Sequence, residues 1–382
     1  MAGMGNAGTP EGFAHAPGSS HLAELVMTYG TGDLVVSPHD YESPLGRRNR
    51  LTRAGWKLVF RRVVTDFTND AMVDRAAAMT YYTLLSVAPM LLAGYSIFSL
   101  LMPREEDAPD SLLAELIQTY VPAELQADAL KLLLTIVGTP SQSTIALTVS
   151  VVISLLSASG YVRSFSRSAN LIYGRTEGRP IAVTWATMWM VTLVLVVGAV
   201  VIVLGALLTD GIVGAVLGPI ARPLHLEEQL EYLTSIFLPV WDWLRGPVIA
   251  VVAIALVSVL YHFTPNVRPG RFRLLTLGSA LALAVVAVLW VGFGWYLRLV
   301  GIRSTYGAFG SVLAVLVLVW AMNVVLLEGV KIDAEVLRAK ELQAGIDSRR
   351  CIQAPPRSSN GAAWRLQTRR WTDRAAQEIL DS

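Results

Sequence analysis

"STYGAFGSVLAVLVLVWAMNVVLLEGVKIDAE", residues 304–335, decides the fold. It runs through 304–327, twenty-four residues, without a charge, then meets Glu328, Lys331, Asp333 and Glu335 within eight positions. A hydrocarbon core of about 30 Å takes about twenty helical residues, so the uncharged run fits one transmembrane helix and the cluster fits its exit into water. Glu328 then has two readings. It is either an end-of-span charge paired with a snorkelling Lys331 at i,i+3, or part of a cytoplasmic network with an inner-loop arginine.

The rest of the chain supports the membrane reading. Of 382 residues, 53% are hydrophobic and 16% charged, and the mean hydropathy is +0.51. Soluble domains carry about a quarter of their residues as charges, so this chain is depleted, and its charges crowd between long uncharged runs. The net charge of +2 matters less than the side on which the basic residues sit. The one cysteine, Cys351, excludes an intrachain disulfide and a Cys-rich zinc site and reads as an incidental thiol in a polar tail.

Residues 1–46 contain no Lys or Arg and are rich in Gly, Pro, Ser and Ala. They lack the basic n-region of a signal peptide and read as a disordered leader. Residues 47–75 mix Arg47, Arg48, Arg50, Arg53, Lys57, Arg61 and Arg62 with apolar residues at three- and four-residue spacing. That is a basic amphipathic helix, lying on a membrane surface or packed on the protein's own cytoplasmic face. A transmembrane domain over 76–335 and a polar cytoplasmic tail over 336–382 complete the organisation.

Six runs are long enough to span: 76–102, 142–162, 181–208, 246–263, 274–297 and 305–327. Buried strands seldom exceed ten residues, so length decides for helices. The third run holds fifteen Val, Ile and Leu residues and no charge. Each contributes about −0.3 to −0.6 kcal/mol near the bilayer centre, whereas one Arg there costs roughly 2.5 to 3.5 kcal/mol. The loops alternate in sign. Arg163, Arg167, Arg175 and Arg179 face one acid, Glu177, and Arg268, Arg271 and Arg273 face none, whereas 103–141 and 209–245 are acid-rich. Six spans with both termini in the cytoplasm satisfy this pattern. The acid-rich segments, with amphipathic stretches at 111–137 and 224–244, then cap the outer face or rest among headgroups.

Catalytic signatures are missing. There is no HExxH, no GxxxxGK[ST] and no GxSxG, and no acid or base lies near the centre of a span. The polar residues left in the membrane are mainly Ser, Thr and Tyr, which commonly pack helices. Asn323 is the most informative, because its amide needs a partner from another helix or a wet cavity. Pro89 removes a backbone hydrogen bond within the first span. Gly278 and Ala282 are small enough for close helix packing within or between chains.

"AAAMTYYTLLSVAPMLL", "SFSRSANLIYGRTEGRP", "LYHFTPNVRPGRFR" and the opening stretch occur in an order that resembles the YihY/BrkB family of bacterial inner-membrane proteins, long labelled ribonuclease BN. The likeness covers roughly residues 50–340 and rests on Tyr81, Tyr82, Ser86, Pro89, Asn170, Tyr173, Arg179, Tyr261, Pro265, Asn266, Arg271, Tyr306, Gly307, Trp320, Glu328 and Glu335. Glu328-Gly329-Val330-Lys331 departs from the family's Gly-Ala-Glu order. The resemblance implies six spans, cytoplasmic termini, a role in envelope integrity and movement of lipids or lipid-linked precursors.

The reading is therefore an all-α polytopic protein of the cytoplasmic membrane, with six transmembrane helices and amphipathic surface helices. Its expected role is transport or flipping of an anionic lipid or amphiphile, with no cofactor, metal or nucleic acid. An inner-mouth network is expected among Arg163, Arg167, Asn170, Tyr173, Arg179, Pro265, Asn266, Arg271, Glu328 and Lys331. An intramembrane path is expected along Tyr81, Tyr82, Ser86, Pro89, Tyr306 and Asn323. A non-transporting organiser of envelope partners and a membrane-embedded enzyme are the alternatives.

Overall fold

The computed structural model describes residues 41–46, 50–101, 144–208, 227–268, 272–300, 307–358 and 360–382, with isolated positions at 117, 126, 130, 131 and 213. Within them the fold is all-α, as expected. The helices are α1 (Arg53–Asn69), α2 (Met72–Leu101), α3 (Thr144–Ile172), α4 (Ile181–Leu207), α5 (Leu238–Phe263), α6 (Leu277–Val300), α7 (Gly307–Gln343) and α8 (Asn360–Leu380). A short helix at Glu227–Tyr232 and a π-helical turn at Leu233–Phe237 lead into α5.

Local chemistry sets the boundaries. Thr52 accepts a hydrogen bond from the Gly55 amide at 3.1 Å, so α1 starts at Arg53 and not at 47. It stops before Ala71, whose φ of 49° is left-handed, and the chain re-enters a helix as α2. The expected single element at 47–75 is thus two helices. One face of α1, with buried Gly55 and Val59, packs on α7, and Trp56, Phe60 and Val64 remain exposed on the other.

Four helical stretches among the described residues are long and apolar enough to cross a membrane: Ile181–Ala206, Leu233–Phe263, Leu277–Tyr296 and Val312–Gln343. The count of six is not reached by that criterion, although α2 and α3 have 30 and 29 residues. The amphipathic stretch expected at 224–244 is continuous with the fourth expected span. There Trp241 donates to the Gly205 carbonyl of α4 at 3.1 Å. The segment 111–137 lies almost entirely outside the described residues.

The 37 residues of α7 make a rod of about 55 Å at 1.5 Å per residue, nearly twice the hydrocarbon thickness. α7 is therefore longer than one span needs, and α1, α2, α3, α6 and the Pro44–Gly46 turn pack along it. Close backbone approach fixes the α6–α7 crossing. A Cβ on Gly278 would lie 1.9 Å from the Gly329 carbonyl oxygen, and one on Gly329 would lie 2.9 Å from the Ala282 Cβ. Gly278 and Ala282 thus pack helices within one chain.

Candidate functional site

Two of the charges that close the opening stretch, Lys331 and Glu335, begin a row on one face of α7, and Asp333 faces α6 instead. Lys331, Glu335, Arg338 and Glu341 follow one another at spacings of four, three and three, which places them in one helical row, and all four are buried. Burying charges is tolerable only when they are paired and hydrogen-bonded. Lys331 Nζ meets Asp66 at 2.7 Å and Asp70 at 2.9 Å, both from the region of α1, and Glu335 at 3.4 Å. Glu335 also meets Arg338 at 2.9 Å and Arg62 at 3.7 Å.

This corrects the expected role of Glu328. Lys331 is taken by Asp66 and Asp70, and both Glu328 carboxylate oxygens are buried with no hydrogen-bond partner among the described residues. Arg179 is not its partner either. Its guanidinium grips Glu177 through two 2.7 Å contacts and donates to the Thr264 and Phe263 carbonyls.

Asn170, Arg179 and Asn266 do come together, in a structural knot. The Asn170 side-chain oxygen accepts from the Asn266 amide at 2.6 Å, and its nitrogen donates to Glu177 at 3.2 Å. Asn266 also bridges to the Thr176 and Ser358 carbonyls. Pro265 is buried beside it. Tyr173, at the end of α3, is buried, and burial followed by the Asp333 charge pushes its hydroxyl above the ordinary tyrosine range.

A strap from the C-terminal tail ties this knot. Residues Cys351–Ala354 are buried, so the thiol expected as incidental in a polar tail is enclosed by the fold. Arg175 donates to the carbonyls of Ile352 and Ala354. Burial disfavours the charged form of Arg175, and those carbonyls offset that cost. Glu341 accepts from the Gln353 and Ala354 amides at 2.9 and 3.0 Å and from the Tyr41 hydroxyl at 2.8 Å. Arg357 donates to the Val267 and His262 carbonyls at 2.9 and 2.6 Å.

The other expected residues scatter. Arg163 stacks over Trp185 at 4.8 Å, and Arg167 is exposed. Asn323 accepts from Tyr161 at 3.0 Å and donates to Thr80 at 3.0 Å, so its partners are neighbouring helices rather than a wet path. Tyr82 packs against Gly160, Ser86 bonds back to the Thr83 carbonyl, and Tyr81 points outward. Arg271, Tyr306 and the side chain of Pro89 lie outside the described residues.

A cavity of about 490 Å³ opens at the same end of the bundle, between Leu45, the 50–56 stretch, the end of α5, residues 273–279 and α7. Leu45, Leu51, Trp56, Tyr173, Tyr261 and Leu277 supply its apolar and aromatic surface, and Arg50, Arg273, Lys340 and His262 supply basic groups. The one acid in the lining, Asp333, is committed: it accepts from Thr276 and from the Gly278 amide at 2.8 Å, capping the N-terminus of α6. Arg50 and Lys340 form no ion pair among the described residues, whereas Arg273 donates to the Leu45 carbonyl and its charge acts on Asp333. Of the expected network, Tyr173 alone among the described residues lines this cavity. The sequence signal for it was Arg50 and Arg273 beside aromatic positions that come together only in the fold.

A family model described as virulence factor BrkB matches residues 63–350. The chain belongs to the BrkB family. The BrkB match takes in the α7 charge row, the Asn170–Asn266 knot and most of the cavity, and it ends as the strap begins. With four helices of membrane-crossing length and composition, this BrkB chain is a membrane protein. The membrane protein Mpe_A1422 of Methylibium petroleiphilum is 26% identical over 284 residues, 73% of this chain and 62% of that protein. The chain thus spans less than two thirds of that relative's length. The ribonuclease-like protein YfkH of Bacillus subtilis is 23% identical over 270 residues, 70% of this chain and 91% of that protein. No solved structure matches the chain.

Proposed function

We propose that this BrkB-family protein sits in the cytoplasmic membrane with six spans and both termini in the cytoplasm. There it transports or flips an anionic lipid or amphiphile, supporting envelope integrity. The observation that carries the reading is the cavity, whose aromatic surface lies beside Arg50 and Lys340, neither of which forms an ion pair among the described residues. Its volume falls within the roughly 300–1,000 Å³ typical of ligand pockets. The apolar part suits an acyl or glycerol portion and the cations an anionic headgroup, each cation contributing about 1 kcal/mol near an anionic surface. The arginines of the knot are unsuited to this role because carbonyls and Glu177 already occupy them.

The reading is non-enzymatic. Asp333 caps a helix, Glu341 holds the strap, and Glu335 balances Lys331 and Arg338, so these buried acids already have structural tasks. The ribonuclease-like name of the Bacillus relative carries no chemistry to this chain. A packing role without transport is favoured by one observation, the Tyr161–Asn323–Thr80 lock that ties α2, α3 and α7. Reconstitution separates the two readings. Transport predicts faster movement of labelled phosphatidylglycerol between leaflets than in protein-free vesicles, and slower movement in Arg50→Gln/Lys340→Gln. A rate equal to protein-free vesicles for several anionic lipids would leave the organiser.

A further inference from the structure

The tail beyond the strap forms a second feature that the cavity does not explain. α8 is 21 residues long, yet it packs along no other described helix. Trp371 and Ile379 are 66% and 76% exposed. At 100° per residue, positions 364, 371, 375 and 379 fall on one face, giving a Trp, Trp, Ala and Ile stripe. Arg365, Arg369, Arg370 and Arg374 flank it, Asp373 falls on the opposite face, and Glu378 and Asp381 stand at the far end. A water-exposed helix has no need of two tryptophans in one row. Tryptophan beside arginine is the composition of a helix lying in a membrane interface.

The root of α8 gives independent support, because it places the helix at membrane level. The Gly361 amide donates to the Gly178 carbonyl at 2.7 Å, and a Cβ on Gly361 would lie 2.4 Å from the Arg179 carbonyl oxygen. Gly178 stands three residues before Ile181, where a stretch of membrane-crossing length and composition begins. The basic half of α8 therefore leaves the bundle at the boundary between hydrocarbon and water.

We propose that α8 docks on the anionic lipid surface of the membrane that holds the bundle, its Trp371 face in the interface and its arginines among the headgroups. This docking does not depend on lipid transport. The test uses the full chain in vesicles, with an environment-sensitive fluorophore attached at Ala375→Cys on the docking face or at Gln377→Cys on the opposite face. The buried Cys351 is replaced by Ser in both. In vesicles containing phosphatidylglycerol, the probe at 375 is expected to shift to the blue and be quenched by brominated lipid, whereas the probe at 377 stays in water. Raised salt, phosphatidylcholine alone, or Arg369→Glu/Arg370→Glu/Arg374→Glu should weaken the shift. Equal behaviour at the two positions, a shift that persists in the charge-reversed variant, or the same protection in detergent without lipid would overturn the proposal. The last result would assign the face to a protein contact.

Discussion

Lys331→Ala tests the α7 charge row most severely. In the folded chain Lys331 holds Asp66 at 2.7 Å and Asp70 at 2.9 Å while its own side chain is only 4% exposed. Removing one partner of a buried ion pair costs about 3–5 kcal/mol, because the remaining charge stays desolvated. Asp66 and Asp70 keep 23% and 21% side-chain exposure, so water recovers part of that loss. Glu335 retains Arg338 at 2.9 Å. The expected cost is therefore at the lower end, about 3 kcal/mol. Lys331→Met with Asp66→Asn and Asp70→Asn should restore most of it, since the penalty belongs to the orphaned carboxylates. Equilibrium unfolding in mixed micelles, read as a mutant cycle, measures both changes. A loss below about 1 kcal/mol for Lys331→Ala, in the range of exposed pairs, would refute the reasoning, as would a triple variant no more stable than the single one.

Cys351, the only cysteine of the chain, reports on the strap. Gly178→Ala would bring a Cβ to 2.1 Å from the Ser358 carbonyl oxygen, so maleimide labelling of Cys351 should change from slow to fast, and unchanged labelling would contradict strap docking. Asn323→Ala should cost roughly 1 kcal/mol, the scale of interhelical hydrogen bonds in membranes, in the same unfolding assay. Burial and then Glu341 hold the Tyr41 hydroxyl above its ordinary value of 10.0. The folded chain therefore keeps a proton that the unfolded chain releases. This contribution is complete below that value and is lost as pH rises beyond it. Thermal stability should fall more steeply above about pH 10 in wild type than in Tyr41→Phe, and parallel curves would count against the Tyr41–Glu341 contact.

The helices were legible because length and apolarity are local properties. Asn323 was also legible in kind, since a mid-membrane amide demands a partner, and Tyr161 and Thr80 supply it. The misreading of Glu328 has a clear physical source. Spacing along α7 offered Lys331 an acid three residues away, but the fold offers two acids 265 and 261 positions away, Asp66 and Asp70. Those acids stand four apart on an otherwise basic helix, which was the available signal. The strap was hidden because "CIQAPPRSS" looks solvated, and its burial depends on Arg175, Glu341 and Asn266 waiting elsewhere. Loop arginines fit the positive-inside pattern, and nothing in the sequence shows that carbonyls hold Arg175 and Arg179 in the knot and Arg273 at the cavity.

Equilibrium binding of short-chain phosphatidylglycerol and phosphatidylcholine to the purified protein tests the cavity most directly, comparing wild type with Arg50→Gln/Lys340→Gln. Two cations at about 1 kcal/mol each correspond to roughly thirty-fold in affinity. Wild type should therefore prefer phosphatidylglycerol, and the double variant should lose most of that preference while binding phosphatidylcholine as before. Equal affinity for the two lipids in wild type, or a preference that survives both substitutions, would contradict an anionic-amphiphile site at this cavity.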